Sequence, residues 1–272
     1  MTSGKTILVT GSTDGLGRRV VEKLVAPGTH LLVHGRDNAR GKEVVEAVRR
    51  GGGTAEFLAA DFAALDEVRR LGEIVTAKVG HLDALINNAG IAQVDSPRRV
   101  SRDGHELHFA VNYLAPVLLT HLLRPVLGGQ ASSRVVNLTS AAQNSIDFDD
   151  VMLERRYSGY RAYGQSKLAD IMFTFDLAED WAGTNVTVNC LHPADHMDTA
   201  PVRAAGIRPI NSVDAGADNT VALATDPAHD GRGGRYFNGG SASRASSQAY
   251  DRAARRRLRD LTRELVGLDA KL

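Results

Sequence analysis

One cysteine, Cys190, in 272 residues excludes an internal disulfide and fits a reducing compartment. Net charge is nearly absent too, since 33 lysines and arginines against 32 aspartates and glutamates leave +1. No global field therefore speaks for nucleic acid or for an anionic membrane. Long apolar runs are missing. No window approaches the span a bilayer needs, and no basic flank with an apolar stretch precedes the first strand-like run, Ile7-Leu8-Val9. Internal repeats and low-complexity tracts are lacking, and Gly51-Gly52-Gly53 reads as a helix-to-strand turn, not as a linker. These absences lead to the expectation of a soluble cytoplasmic protein with neither membrane nor nucleic acid as partner. Residues 1–272 are expected to fold as one domain.

What is present is ordinary globular material, 43% hydrophobic and 24% charged, in a chain long enough for a sizeable core. Short apolar runs alternate with segments of helical period, which predicts a doubly wound α/β fold with helices on both faces of a parallel sheet. About seven strands are expected, near 6–10, 30–34, 54–59, 82–86, 133–138, 184–191 and 234–237. Helices are expected over 15–26, 38–50, 64–79, 99–127 with a break near Asn112, 162–182, 212–225 and 248–266. Residues 141–160 and 192–211 interrupt the alternation as two long loops. Both follow the carboxyl ends of strands, where open α/β sheets bind ligands, so both are candidate substrate loops.

The first strand runs into Thr10-Gly11-Ser12-Thr13-Asp14-Gly15-Leu16-Gly17, and a helical pattern follows at once. Glycines there let the backbone approach a pyrophosphate, which then faces free N–H groups and the helix dipole. Taken alone the turn also fits a purely structural role or the loop of an S-adenosylmethionine-dependent methyltransferase. The second strand ends His34-Gly35-Arg36-Asp37. An acid at such a tip suits the ribose hydroxyls of NAD, whereas the fork of Arg36 suits a 2′-phosphate. Arg36 as an ordinary solvated residue is the alternative.

Tyr163-Gly164-Gln165-Ser166-Lys167 opens a helical segment in which residues four apart share a face. A free phenol is a poor base at neutral pH. A cation about 4 Å away favours the phenolate by about 4 kcal/mol at an effective dielectric near 20, which brings it into the range of general acid–base catalysis. Two nearby tyrosines lack the partner, since Arg161 follows Tyr157 and Gly164 follows Tyr160 at that spacing.

Thr-Gly-x-x-x-Gly-x-Gly together with Tyr-x-x-x-Lys resembles the short-chain dehydrogenase/reductase family, and the resemblance recurs along nearly the whole chain. It implies a single Rossmann-type domain that moves hydride between NADP(H), or NAD(H), and a carbonyl or secondary alcohol. In the glycine turn, Gly11, Ser12, Thr13, Gly15, Leu16 and Gly17 would hold the cofactor. Asn88, Ala89 and Gly90 of Asn87-Asn88-Ala89-Gly90 would support its adenine side, and Asp61 with Phe62 would lie near the adenine ring. Tyr163 would be the acid–base group, Lys167 would tune it and hold the nicotinamide ribose, Ser140 would hold the substrate oxygen, and Asn112 would tie a water to the lysine. The family's pairing habit implies a dimer or tetramer through helices near 112–127 and 162–182. A catalytically silent NADP(H)-binding sensor is the rival reading, which the intact Ser140, Tyr163 and Lys167 oppose.

Departures from the family pattern are informative. Asp14 sits where many NADP-dependent relatives carry a basic residue, so NADP(H) is preferred and NAD(H) stays open. The long interval between Ser140 and Tyr163 resembles the retinol dehydrogenase-like branch, which acts on lipophilic carbonyls. Pro193 and Thr199 fall near the nicotinamide position, with Ala194 in place of glycine and the threonine one residue late. His192, Asp195 and His196 on one loop, and His105 with His108, read as polar loop and helix residues, so no metal is expected. The arginines of 252–263 alternate with apolar residues as an amphipathic helix with a solvated face.

Overall fold

Ile7-Leu8-Val9 and Leu31-Leu32-Val33 carry no polar side chain because their strands are covered on both faces. The computed structural model describes residues 4–129, 131–198, 202–203, 206 and 208–268. Its strands are β1 (Thr6–Val9), β2 (His30–Gly35), β3 (Thr54–Ala59), β4 (Ala84–Asn87), β5 (Ser133–Leu138), β6 (Val186–His192), β7 (Arg235–Asn238) and β8 (Ser241–Ser243). They form one sheet in the order β3-β2-β1-β4-β5-β6-β7-β8, parallel except for β8. The order reverses between β1 and β4, which opens a crevice beyond their carboxyl ends.

Residues alternate across the sheet with period two. Val9, Val33, Ile86 and Val136 face one core, covered by α1 (Gly15–Leu24), α2 (Asn38–Arg50) and α7 (Val213–Thr225). Leu8, Leu32, Leu85 and Val135 face the other, covered by α3 (Leu65–Lys78), α5 (Ala115–Leu122) and α6 (Gly159–Asp180). Burying each such leucine contributes about 2 kcal/mol. Side chains of Asp14, Asp37, Ser158, Ser212 and Asp251 cap the starts of α1, α2, α6, α7 and α8 (Arg252–Val266). α8 stops at Gly267, whose φ of 60° is left-handed.

The helix expected over 99–127 is shorter and irregular. Residues 101–104 turn instead, with Gly104 at φ 84° and Ser101 Oγ accepting from the Asp103 and His105 N–H groups. Val100 and Glu106 form an antiparallel bridge. Helix begins only at α4 (Leu107–Phe109), capped by Glu106, and passes through a π-turn, Ala110–Leu114, into α5. Asn112 stands in that π-turn, where the expected break falls. β8 has no apolar alternation to announce it, being three exposed residues paired only to β7.

α8 lies along α6. Arg255 Nη1 is 3.2 Å from Asp176 Oδ1, and the Tyr113 and Thr262 hydroxyls are 2.7 Å apart. Its solvated face is thus only part of the amphipathic expectation, since Arg255 is buried.

Candidate active site

The first glycine turn is held from two sides. Thr10 Oγ1 accepts from the Asn88 and Ala89 N–H groups, both at 3.0 Å, and Asn88 Nδ2 donates to the Thr10 and Gly11 carbonyls at 2.9 and 3.0 Å. Gly11 has φ +62°, and a Cβ there would lie 2.7 Å from Ala89 Cα. A Cβ on Gly17 would lie 2.3 Å from the Gly11 carbonyl oxygen. Nothing stands within 4 Å of a Cβ on Gly15, so the turn is tight beneath and open above, at the start of α1.

Ser12 turns inward. Its hydroxyl donates to the Val9 carbonyl at 2.8 Å and accepts from the His34 N–H at 3.0 Å, and its own N–H donates to the His34 carbonyl at 2.8 Å, so Ser12 ties the turn to β2. His34 itself went unmarked in the sequence, yet it props the turn. Its Nδ1 accepts from the Gly11 N–H at 3.1 Å, its Nε2 lies 3.1 Å from the Ala60 carbonyl, and its ring stacks on Phe62 with centroids 4.5 Å apart. Phe62 is therefore buried against His34. Burial lowers the His34 pKa to about 4.

At the tip of β2, a Cβ on Gly35 would fall 2.6 Å from Thr13 Cγ2, so an acidic side chain there would have to displace Thr13. Arg36 is exposed, with Nη1 3.8 Å from Asp61 Oδ1. Arg40 was also missed. Its Nη1 lies 3.0 Å from Asp14 Oδ2 and its Nε 3.5 Å from Asp37 Oδ2, so the carboxylate that counted against a 2′-phosphate is already paired. The charge spacing Arg36 to Arg40 was the available signal.

β5 and α6 bring the catalytic candidates to the same end of the sheet. Ser140 follows β5 and is buried, its Oγ accepting from the Ala142 N–H at 3.1 Å. Tyr163 is half-buried on the first turns of α6. Lys167 is buried, and Nζ donates to the carbonyl of Leu138, two residues before Ser140, at 2.7 Å. Asn112 Oδ1 accepts from the Ile91 N–H at 2.8 Å, and its Nδ2 donates to Ser166 Oγ at 3.0 Å. Ser166 Oγ in turn donates to the Tyr163 carbonyl at 2.7 Å. A Cβ on Gly90 would sit 3.2 Å from Asn112 Oδ1, a tight contact, and 3.7 Å from Lys167 Nζ, so glycine leaves the approach to the ammonium uncrowded.

Two further residues support this group without having been singled out for it. The His108 ring stands nearly edge-on to Tyr163, centroids 6.4 Å apart, and is fixed by buried Glu106 at 3.0 Å and by the Gln93 N–H. Buried Gln165 ties the 141–160 loop to α6: its Oε1 accepts from the Asp147 N–H and its Nε2 donates to the Val151 carbonyl.

From the other long loop, Pro193 and Leu16 both border Gly216, at 3.4 and 3.3 Å from where its Cβ would be, which places Pro193 beside the glycine turn. Thr199 lies outside the described residues. His192 Nε2 meets Asp195 Oδ1 at 2.9 Å. Among the described residues no three His, Cys, Asp or Glu side chains cluster as metal ligands, and no helix is long and apolar enough to cross a membrane.

The tight glycine turn, the helix start open above it and the clear approach to Lys167 fit a dinucleotide. Comparison with known proteins agrees. The family model for short chain dehydrogenase matches residues 5–205. Human retinol dehydrogenase 14 is 34% identical, with 97% of this chain and 87% of that protein covered. Human polyprenol dehydrogenase is 32% identical, covering 96% and 84%. A short chain dehydrogenase from Burkholderia cenocepacia J2315, solved in complex with NADP, superposes with a TM-score of 0.70 at 27% identity, covering 87% of this chain and 96% of that one.

Proposed function

Because the chain belongs to the short-chain dehydrogenase family, we propose that it is an NADP(H)-dependent oxidoreductase interconverting a lipophilic alcohol and its carbonyl compound, with Tyr163 as the acid–base group. The observation that supports this reading is the Lys167 ammonium on the Leu138 carbonyl at the carboxyl end of β5, two residues before Ser140 and one helical turn after Tyr163, together with a glycine turn left open at the start of α1.

The residues divide the work. The turn Gly11–Gly17 and the start of α1 would hold the pyrophosphate, Arg36 and Arg40 the 2′-phosphate, and Asp61, Asn88 and Ala89 the adenine side. Tyr163, Lys167, Gly90 and Pro193 would border the nicotinamide half. When bound, the nicotinamide supplies or takes up the hydride. Ser140 Oγ donates to the substrate oxygen and holds it toward Tyr163, stabilising negative charge as it develops there. The phenol gives its proton to that oxygen in reduction and takes it back in oxidation. Lys167 stabilises the phenolate by its charge, and Asn112 holds Ser166 and the Ile91 backbone in place around them.

NADP(H) is favoured over NAD(H) by Arg36 just past β2 and Arg40 in the first turn of α2, and by the pairing of Asp14 with Arg40. A lipophilic substrate is supported by the names of the relatives, retinol and polyprenol dehydrogenases, and by two exposed apolar side chains, Tyr160 in the first turn of α6 and Ile210 on the 192–211 loop. Self-association through 112–127 and 162–182 would have to include α8, which already covers Tyr113 and Asp176.

The test is turnover of the wild-type protein and of Tyr163→Phe with NADP(H) and a set of retinoid and isoprenoid alcohols and aldehydes. The variant is expected to bind NADPH as tightly as wild type, by fluorescence titration, and to lose at least about 3 orders of magnitude in kcat. Retained turnover would remove Tyr163 as the acid.

A further inference from the structure

One turn beyond Lys167 on α6 lies a second ionisable group, Asp170, 2% exposed. Its Oδ2 is 4.0 Å from Lys167 Nζ, and its Oδ1 is buried without a hydrogen-bond partner. Lys167 is itself buried, and its other contact is a neutral carbonyl, that of Leu138. A buried ammonium needs an opposing charge, and among the described residues Asp170 is the carboxylate within ion-pair reach. An asparagine of the same shape would fill the space without the cost of burying a carboxylate, so the charge itself calls for a role.

We propose that Asp170 is a positioning residue of the active site, the buried counter-ion of Lys167, whose charge sets the proton affinity of the Tyr163–Lys167 pair from behind. This rests on the acid–base role given to Tyr163 above. An ionised Asp170 steadies the ammonium and opposes the phenolate. A protonated Asp170 leaves the ammonium's full effect on the phenol. The groups facing it are few: Lys167 on its own helix, Tyr113 from the π-turn and Cys190 from β6. Burial raises both the Tyr113 phenol and the Cys190 thiol, so neither carries charge near neutrality. β5 presents only neutral Asn137 and Thr139 on this side, and Arg255 and Arg259 of α8 are engaged by Asp176. Burial pushes the Asp170 carboxyl up to about 7 while Lys167 draws it down, so its charge changes in the working range of an enzyme.

Two measurements test this on the full chain. Tyrosinate absorbance of the cofactor-free protein is titrated for wild type and Asp170→Asn, each against its own Tyr163→Phe counterpart, so that the difference reports residue 163 alone. Loss of the carboxylate is expected to move that titration to lower pH by about one unit. In kcat/KM against pH, both limbs should move the same way: the acidic one because the phenolate is no longer opposed, the alkaline one because the ammonium loses its partner. Asp170→Glu, which keeps the charge, should stay near the wild-type profile, and Asp170→Ser should repeat the shift if the asparagine variant folds poorly. Titrations and profiles that coincide with wild type in both uncharged variants, even with a changed melting temperature, overturn the proposal. If Tyr163→Phe retains turnover, the failure lies in the acid–base reading; if it is inactive while the Asp170 variants titrate as wild type, the failure lies in the counter-ion alone.

Discussion

Acid should loosen this protein at the glycine turn, through His34. The neutral ring accepts the Gly11 N–H on Nδ1 and directs Nε2 to the Ala60 carbonyl, so protonation would set one N–H against another. The pKa falls from 6.5 to about 4 on folding because the ring is buried. A lowered folded value means that the stability is whole above pH 6.5, declines as pH falls, and is gone below about 4. At about 1.4 kcal/mol per pH unit, the gap from 6.5 to about 4 corresponds to about 3 kcal/mol. Urea unfolding of wild type and His34→Gln between those pH values isolates the contribution. His121, also lowered to about 4 by burial, titrates in both proteins and cancels in the difference. The variant should be less stable at neutral pH by about 2 kcal/mol, from lost stacking and hydrogen bonding. Toward pH 4 wild type should lose about 3 kcal/mol relative to the variant, so that the gap closes and the order reverses, wild type ending about 1 kcal/mol the less stable. An equal loss of stability in both over that window would refute the reasoning.

Two further outcomes follow from the same geometry. Gly17→Ala puts a methyl 2.3 Å from the Gly11 carbonyl oxygen and 2.4 Å from Asn88 Nδ2; it should cost about 2 kcal/mol in thermal unfolding and abolish NADPH binding by fluorescence. Arg36→Ala should weaken NADPH at least about tenfold and leave NADH little changed, with Arg40→Ala weaker in the same direction. Equal losses for the two cofactors would show that the arginines do not read the 2′-phosphate.

Much of the fold was legible because its signals are local. Apolar runs buried on both faces, capped helix starts and glycine turns lie contiguous in the chain, and β1 through β7 appear within a residue or two of their expected positions. The exceptions lacked a periodic signal. β8 is polar and exposed, and residues 99–106 hold one apolar side chain, Val100, and are turned by Ser101 and Gly104.

By itself the sequence determined the candidate set, since Tyr163 and Lys167 share a helix face and Gly11 to Gly17 share a turn whatever else surrounds them. Only the tertiary structure decided what stands behind each group. His34 beneath Gly11, Asp14 against Arg40, His108 beside Tyr163, and α8 over Asp176 are contacts between segments far apart in the chain. Their energies come from burial and charge proximity, quantities set by packing and not by spacing along the chain. Asp170 belongs to both accounts: its place one turn from Lys167 can be read in the chain, but its isolation from water, which gives its charge consequence, exists only in the folded protein.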